Sequence, residues 1–267
     1  MDNRPVVFID SGIGGIPYAH FFHSRNKREK LIYAADRANF PYGPRSRENV
    51  IELASGLVKK LISKYDPKIL VVACNAISVS ALAAMRETFP GLPIVGTVPA
   101  IKPAAGKSLK RRIGVIGTQR AIEDPYIAEL AAKYAPDCTI LGEPAPDLVN
   151  FVERFWLASD GNERILAVKP WIEKFLAKGA DTLVLACTHF LLLKEEFRSL
   201  GGEKLKIFDS MEGVSRRAES ILDEKGLRST LAENADDPLF IVSGEQPPEP
   251  HWEQLCRRFG FTMETDL

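Results

Sequence analysis

The sequence predicts an α/β protein built from a duplicated unit of parallel strands and crossover helices. Three observations predict it. Short apolar runs alternate with segments of helical period, the pattern of βαβ units rather than of sandwiches or bundles. Leu70-Val71-Val72-Ala73-Cys74 returns as Leu183-Val184-Leu185-Ala186-Cys187, 113 positions further on. Two neighbouring strands repeat in the same order. Ile94-Val95-Gly96-Thr97 matches Ile207-Phe208-Asp209-Ser210 at that offset, and Val7-Phe8-Ile9-Asp10-Ser11 matches Gly114-Val115-Ile116-Gly117-Thr118 at a slightly shorter one. Apolar strands resemble one another by chance, but three matches in a shared order are a repeat.

The elements follow in order. Strands are expected at Val6–Ile9, Leu31–Ala34, Ile69–Ala73, Ile94–Val98, Arg112–Ile116, Thr182–Ala186, Lys206–Phe208 and Leu239–Val242. The clearest helix carries Val50, Leu53, Ala54, Leu57, Val58, Leu61 and Ile62 on one stripe and stops before Asp66-Pro67. Asp124-Pro125 reads as an N-cap followed by proline at the first helical position. Gly179, Gly201 and Gly226 stand where helices should end.

Composition narrows the function. The 267 residues are 45% hydrophobic and 26% charged, ordinary globular material. Lys+Arg equals Asp+Glu at 35 each, so no field draws the chain to nucleic acid or an anionic membrane, and a small anion bound by local dipoles remains open. The first apolar run is too short to span a bilayer and runs into Asp10 and a glycine turn, where a signal peptide would have a cleavage site. The four cysteines are scattered without a CxxC. A cytoplasmic protein with free thiols is expected.

Ligands of parallel α/β sheets bind outside the carboxyl ends of strands. The residues at those ends are Asp10-Ser11, Asp36, Cys74-Asn75, Thr118 and Cys187-Thr188-His189. A single cysteine there is most simply a small buried hydrophobe. Two at matched positions, each beside hydrogen-bonding side chains, point instead to chemistry. If two similar lobes face one ligand, each presents a thiol from its own side, which is what racemisation or epimerisation at carbon requires. A thiol with an ordinary pKa of about 8.5 can act as acid or base near neutrality after modest tuning. Asp10 is the carboxylate suited to serve Cys74, and His189 the imidazole suited to serve Cys187.

The turn Asp10-Ser11-Gly12-Ile13-Gly14-Gly15 could cradle an anion or be a purely structural tight turn. Asp10 would repel phosphate, which favours an amino acid as ligand, its ammonium on Asp10 and its carboxylates on backbone donors. Pro41-Tyr42-Gly43 reads as a turn whose backbone could line the same site. Cys187-x-His189 lacks a second ligand pair, so no metal is expected. His20, His23 and His251 read as surface or packing residues, Cys138 and Cys256 as structural, and Glu153 by itself as a solvated helix residue.

Together these motifs resemble the glutamate racemases of the aspartate/glutamate racemase superfamily. The residues that carry the resemblance are Asp10–Gly15, Pro41-Tyr42-Gly43, Ala73-Cys74-Asn75, Thr118 and Leu185-Ala186-Cys187-Thr188-His189, in family order over nearly the whole chain. The resemblance implies two pseudo-symmetric α/β domains, residues 1–97 with 210–267 and residues 98–209, with the active site in the cleft between them. It implies a cofactor-independent racemase with glutamate as substrate, cytoplasmic, serving peptidoglycan synthesis and hence cell shape, and working as a homodimer. Cys74 and Cys187 would be the acid/base thiols, assisted by Asp10 and His189, and Glu153 aligns with a family acid near the second thiol. Ser11, Pro41, Tyr42, Gly43, Asn75, Thr118 and Thr188 would hold the substrate, with Ala76 beside them.

The sequence departs from the family pattern at Ala76 and Ala121, where threonine is usual, and at Phe190-Leu191, where Tyr-Pro is usual. A lost hydroxyl at Ala76 would cost about 0.5–1.5 kcal/mol of substrate binding, unless Ser78, Ser80 or a water replaces it. These changes bear on which acidic amino acid is bound more than on the reaction. A superfamily decarboxylase working with one thiol is disfavoured because both are kept. A non-catalytic two-lobed small-anion binder and a nucleotide-binding enzyme are the readings from other classes, the second disfavoured by Asp10 in the glycine turn.

Overall fold

The structure is a computed structural model and describes residues 2–234, 236–244 and 250–264; the end of the expected C-terminal tail, 265–267, lies outside them. The chain divides into two compact units, one of Met1–Thr97 and Met211–Leu267, the other of Val98–Ser210.

The first unit carries β1 (Val6–Asp10), β2 (Leu31–Ala35), β3 (Ile69–Val72) and β4 (Ile94–Gly96), and the second carries β5 (Arg112–Gly117), β6 (Thr139–Pro144), β7 (Thr182–Ala186) and β8 (Lys206–Phe208). Two late strands, β9 (Leu239–Val242) and β10 (Thr262–Glu264), return to the first unit. The first sheet has the order β10-β9-β2-β1-β3-β4, the second β6-β5-β7-β8, and every pairing in both is parallel. The four-strand order β2-β1-β3-β4 therefore recurs as β6-β5-β7-β8. The repeat seen in the sequence is a repeat of topology.

β1, β2, β3 and β7 are buried along their whole length. Both faces of a parallel sheet are covered by helices, so such strands read as continuous apolar runs, not alternating ones. In the first unit the stripe Val50, Ala54, Leu57, Val58 and Leu61 of helix Arg47–Tyr65 packs against Val7, Ile9, Leu70 and Val72. Ser46 caps that helix by accepting from Asn49 N–H, and Asp66 ends it in the left-handed region, at φ 45°, ahead of Pro67. Asp124 caps helix Pro125–Tyr134 through Tyr126 N–H, as its sequence indicates.

The structure also corrects some expectations. The fourth strand stops at Gly96, and Val98 is 39% exposed. β6 and β10 were not expected. Both are edge strands with several exposed positions, and β6 includes Gly142 and ends on Pro144, so neither shows a buried strand's apolar run. Helix Lys194–Gly201 ends at its expected glycine, but it is Gly202, the next residue, that takes the positive φ. His20 bonds through Nδ1 to the Phe259 carbonyl and His23 is buried, which are packing roles. Cys256 is buried on helix Pro250–Phe259, and its burial pushes the thiol up to about 12, an inert side chain.

Lys68 has no counterpart in the sequence reading. Its ammonium is wholly buried, donates to the carbonyls of Asp2 at 2.6 Å and Leu227 at 2.9 Å, and lies 2.5 Å from Glu29 Oε2. Glu29 Oε1 accepts from Ser229 N–H at 3.1 Å. This knot ties the N-terminus, the loop before β2, the start of β3 and the chain after helix Met211–Glu224. Among the described residues no helix is long and apolar enough to cross a membrane.

Candidate active site

Each unit carries one cluster at the carboxyl edge of its sheet. In the first, Cys74 follows β3 and stands just before helix Asn75–Thr88. It is 6% exposed, and its Sγ lies 3.9 Å from Ser11 Oγ, within reach of a thiol donating to a hydroxyl. Ser11 in turn donates to Asp10 Oδ1 at 3.3 Å. Asp10 ends β1, is fully buried and also accepts Gly12 N–H at 3.2 Å. The pairing of Asp10 with Cys74 expected from the sequence acquires an intermediary, the Ser11 hydroxyl.

The glycine turn is tight because it must be. A Cβ at Gly15 would come within 2.9 Å of Asp10 Oδ2 and of Ala73 Cβ. Its N–H donates to the Tyr33 hydroxyl, so the reading of this turn as an open anion cradle fails at Gly15. At the end of β2, Asp36 gathers the neighbouring loop. It accepts from Ser243 Oγ at 2.6 Å, from Asn39 Nδ2 on both oxygens and from the Tyr42 hydroxyl. Tyr42 is buried; that burial, with the Asp36 charge, drives its phenol far above the usual range, so it stays protonated and bonded inward. What Pro41-Tyr42-Gly43 can offer a ligand is its backbone and the exposed Pro41, not the phenol.

Asn75 is 3% exposed, and neither atom of its amide has a hydrogen-bond partner among the described residues. Buried amides are normally satisfied, so the Asn75 side chain has donor and acceptor capacity left over. Ala76 packs into the apolar core with Cys74 and Ile77. Ser78 cannot stand in for the missing hydroxyl, because it donates to the Val72 carbonyl at 3.1 Å and accepts Thr97 N–H at 3.0 Å. The Ser80 hydroxyl is buried without a hydrogen-bond partner among the described residues.

In the second unit Cys187 follows β7, 4% exposed, with Thr188 and His189 opening a short 3-10 segment, Thr188–Leu193. His189 Nδ1 is 3.6 Å from Cys187 Sγ and its Nε2 is 2.6 Å from Glu153 Oε1. Burial works against a charge on His189, but the bonds and charges of Cys187 and Glu153 outweigh it and hold the imidazole well above its ordinary range. Glu153 lies on helix Pro146–Arg154 and is buried, 7% exposed, which overturns its reading as a solvated helix residue. The i, i+1, i+4, i+5 spacing of Leu148, Val149, Val152 and Glu153, which puts all four on one helical face, was the signal available. Thr118 follows β5 as the N-cap of helix Gln119–Glu123, and its oxygen accepts Ala121 N–H at 3.3 Å, leaving its own proton to give.

The His189 shift carries a sign. An imidazole whose folded pKa is raised contributes stability that is complete below the unfolded pKa near 6.5 and is lost as pH rises through the folded value. Glu153→Gln should therefore lower stability most near pH 6, and the gap from the parent should close as pH rises. Urea midpoints across pH 6 to 10 measure it; a gap independent of pH would make Glu153 a packing residue only.

Two matched thiols, each beside a proton-handling group and a buried carboxylate, are found here on a repeated α/β unit. The Asp/Glu/hydantoin racemase profile matches residues 21–216. The chain belongs to that family. A glutamate racemase of Treponema pallidum is 40% identical over 211 residues, covering 79% of this chain and 78% of its own. One from Actinobacillus pleuropneumoniae is 38% identical over 260 residues, 97% of this chain and 96% of its own. Among solved structures, Escherichia coli glutamate racemase in complex with L-glutamate and an activator, UDP-MurNAc-Ala, superimposes with a TM-score of 0.83 at 31% identity, covering 97% of each chain. The Francisella tularensis enzyme in complex with D-glutamate gives 0.82 at 26%, covering all of this chain and 98% of the other. As a member of this racemase family the chain is an isomerase, and its fold and family agree with those expected from the sequence.

Proposed function

We propose that the protein interconverts L- and D-glutamate without a cofactor, with Cys74 and Cys187 as acid and base on opposite faces of the α-carbon. The observation that carries the reading is the matched pair of chains, thiol–Ser11–Asp10 and thiol–His189–Glu153. One thiol, as thiolate, takes the α-proton and forms its S–H bond while the C–H pair stays on carbon. The other thiol then gives its proton to the opposite face. Ser11 with Asp10, and His189 with Glu153, take up and return the protons that reset the pair. General acid–base groups so placed contribute roughly 10²–10⁴-fold each.

Asn75, Thr118, Thr188, Ser11 and the backbone of Pro41-Tyr42-Gly43 would hold the ammonium and carboxylates. Glutamate is favoured by the two relatives named above, both glutamate racemases, and by the ligands of the two superimposed enzymes. Ala76, with Ser78 engaged elsewhere, motivates a second reading, a different acidic amino acid in the same chemistry. The biological reading is a cytoplasmic homodimer supplying D-glutamate for peptidoglycan.

In heavy water the protein should exchange the α-hydrogen of either glutamate enantiomer and bring circular dichroism to zero. No exchange with glutamate but exchange with aspartate would select the second reading. No exchange with any acidic amino acid at saturating concentration would end both.

A further inference from the structure

Tyr33 is the third residue of β2 and is wholly buried. Its ring stacks on Phe240 of β9, centroids 5.0 Å apart, and meets Phe261 edge-on at 6.4 Å, so it has one position. Its hydroxyl donates to the Gly12 carbonyl at 2.7 Å and accepts Gly15 N–H at 3.0 Å. A phenol can do both at once. One buried hydroxyl thus closes the two ends of the turn that follows Asp10. On its other side the turn lies against Asp10, which accepts Gly12 N–H and leaves no room for a Cβ at Gly15.

We propose that Tyr33 is a positioning residue for the Cys74 acid/base group, holding the glycine turn so that Ser11 and Asp10 stay in line with the thiol. The inference rests on the racemase reading. Tyr33 acts on the thiol through the turn, by its bonds to Gly12 and Gly15. Removing its hydroxyl leaves the Gly12 carbonyl and Gly15 N–H buried and without their partner, and the turn must shift to satisfy them. Ser11 Oγ is already near the limit of contact with Cys74 Sγ, so a small shift breaks that link.

Tyr33→Phe keeps the ring and its stacking and deletes only the hydroxyl. It should lower kcat for both enantiomers at least about tenfold with KM within about threefold, the pattern of a lost transition-state interaction. One limb of the kcat pH profile should move by roughly 0.5 unit or more while the other stays. Phe240→Leu, which loosens the same ring without touching a hydrogen bond, is the control: it should lower Tm and leave kcat and both limbs unchanged. A Tyr33→Phe enzyme with parental kcat and profile overturns the inference, and so does an equal kcat loss in Phe240→Leu. Should Tyr33→Phe fail to fold, amide exchange in the parent decides. Gly15 N–H protected as well as the β1 amides supports the clamp, and rapid exchange there overturns it. A parent that exchanges no α-hydrogen removes the racemase reading and the inference with it, an outcome distinct from an active parent with an unaffected variant.

Discussion

Cys74→Ser and Cys187→Ser should each lower glutamate racemisation on the order of 10³-fold in both directions. In the proposed mechanism each thiol serves once as base and once as acid, so loss of either should block both directions. The ratio of kcat/KM for the two enantiomers must stay at unity because the equilibrium constant is one. Serine preserves shape and hydrogen-bonding capacity, which separates proton transfer from packing. Both positions are nearly buried, at 6% and 4% exposure, and the swap adds no volume, so the variants should fold. Coupled assays of D- and L-glutamate formation measure the rates. Retention of more than about a tenth of the parental rate by either variant would remove that thiol from the mechanism. Unchanged glutamate binding with no activity in the parent would point instead to a binder.

Lys68→Ala should destabilise the protein by about 3–5 kcal/mol, because it leaves the Glu29 carboxylate buried without its counter-ion. The pair is nearly dry, with side chains 0% and 3% exposed, and the ammonium donates to the Asp2 and Leu227 carbonyls while forming its ion pair with Glu29. Exposed pairs such as Arg257–Glu253 are worth far less. Lys68→Met combined with Glu29→Leu should recover much of the loss, since neither charge then remains alone. Urea midpoints at constant m-value measure both. A cost below about 1 kcal/mol for Lys68→Ala would mean that water reaches Glu29. The knot matters to function through connectivity. Lys68 immediately precedes β3, the strand that ends at Cys74, and it anchors the chain that returns from helix Met211–Glu224.

Much of the fold was legible because central parallel strands have no solvent face. β1, β3, β5 and β7 lie inside their sheets and announce themselves as apolar runs. Two of the edge strands do not: β6 and β10 depend on one neighbour each and have the composition of loops, whereas the edge strands β4 and β8 keep short apolar runs that the sequence shows. The same logic divides the candidate site. Cys74, Cys187, Asp10 and His189 sit immediately at strand ends, so position along the chain locates them. Glu153 is 36 positions from His189 and came into view only through the family resemblance, its burial being a property of how helix Pro146–Arg154 packs.

By itself the sequence determined the repeated α/β unit, the matched strand-end thiols and the family. Those are written in local patterns, since strand periodicity and motif order need no knowledge of distant partners. Only the tertiary structure decided what each polar group does. It made Ser11 the link between Cys74 and Asp10, turned Tyr42 inward to Asp36, bound Ser243 to that same carboxylate from 207 positions away and gave Lys68 to Glu29. A buried donor or acceptor must find a partner, and which partner is available depends on the packing of segments far apart in the chain.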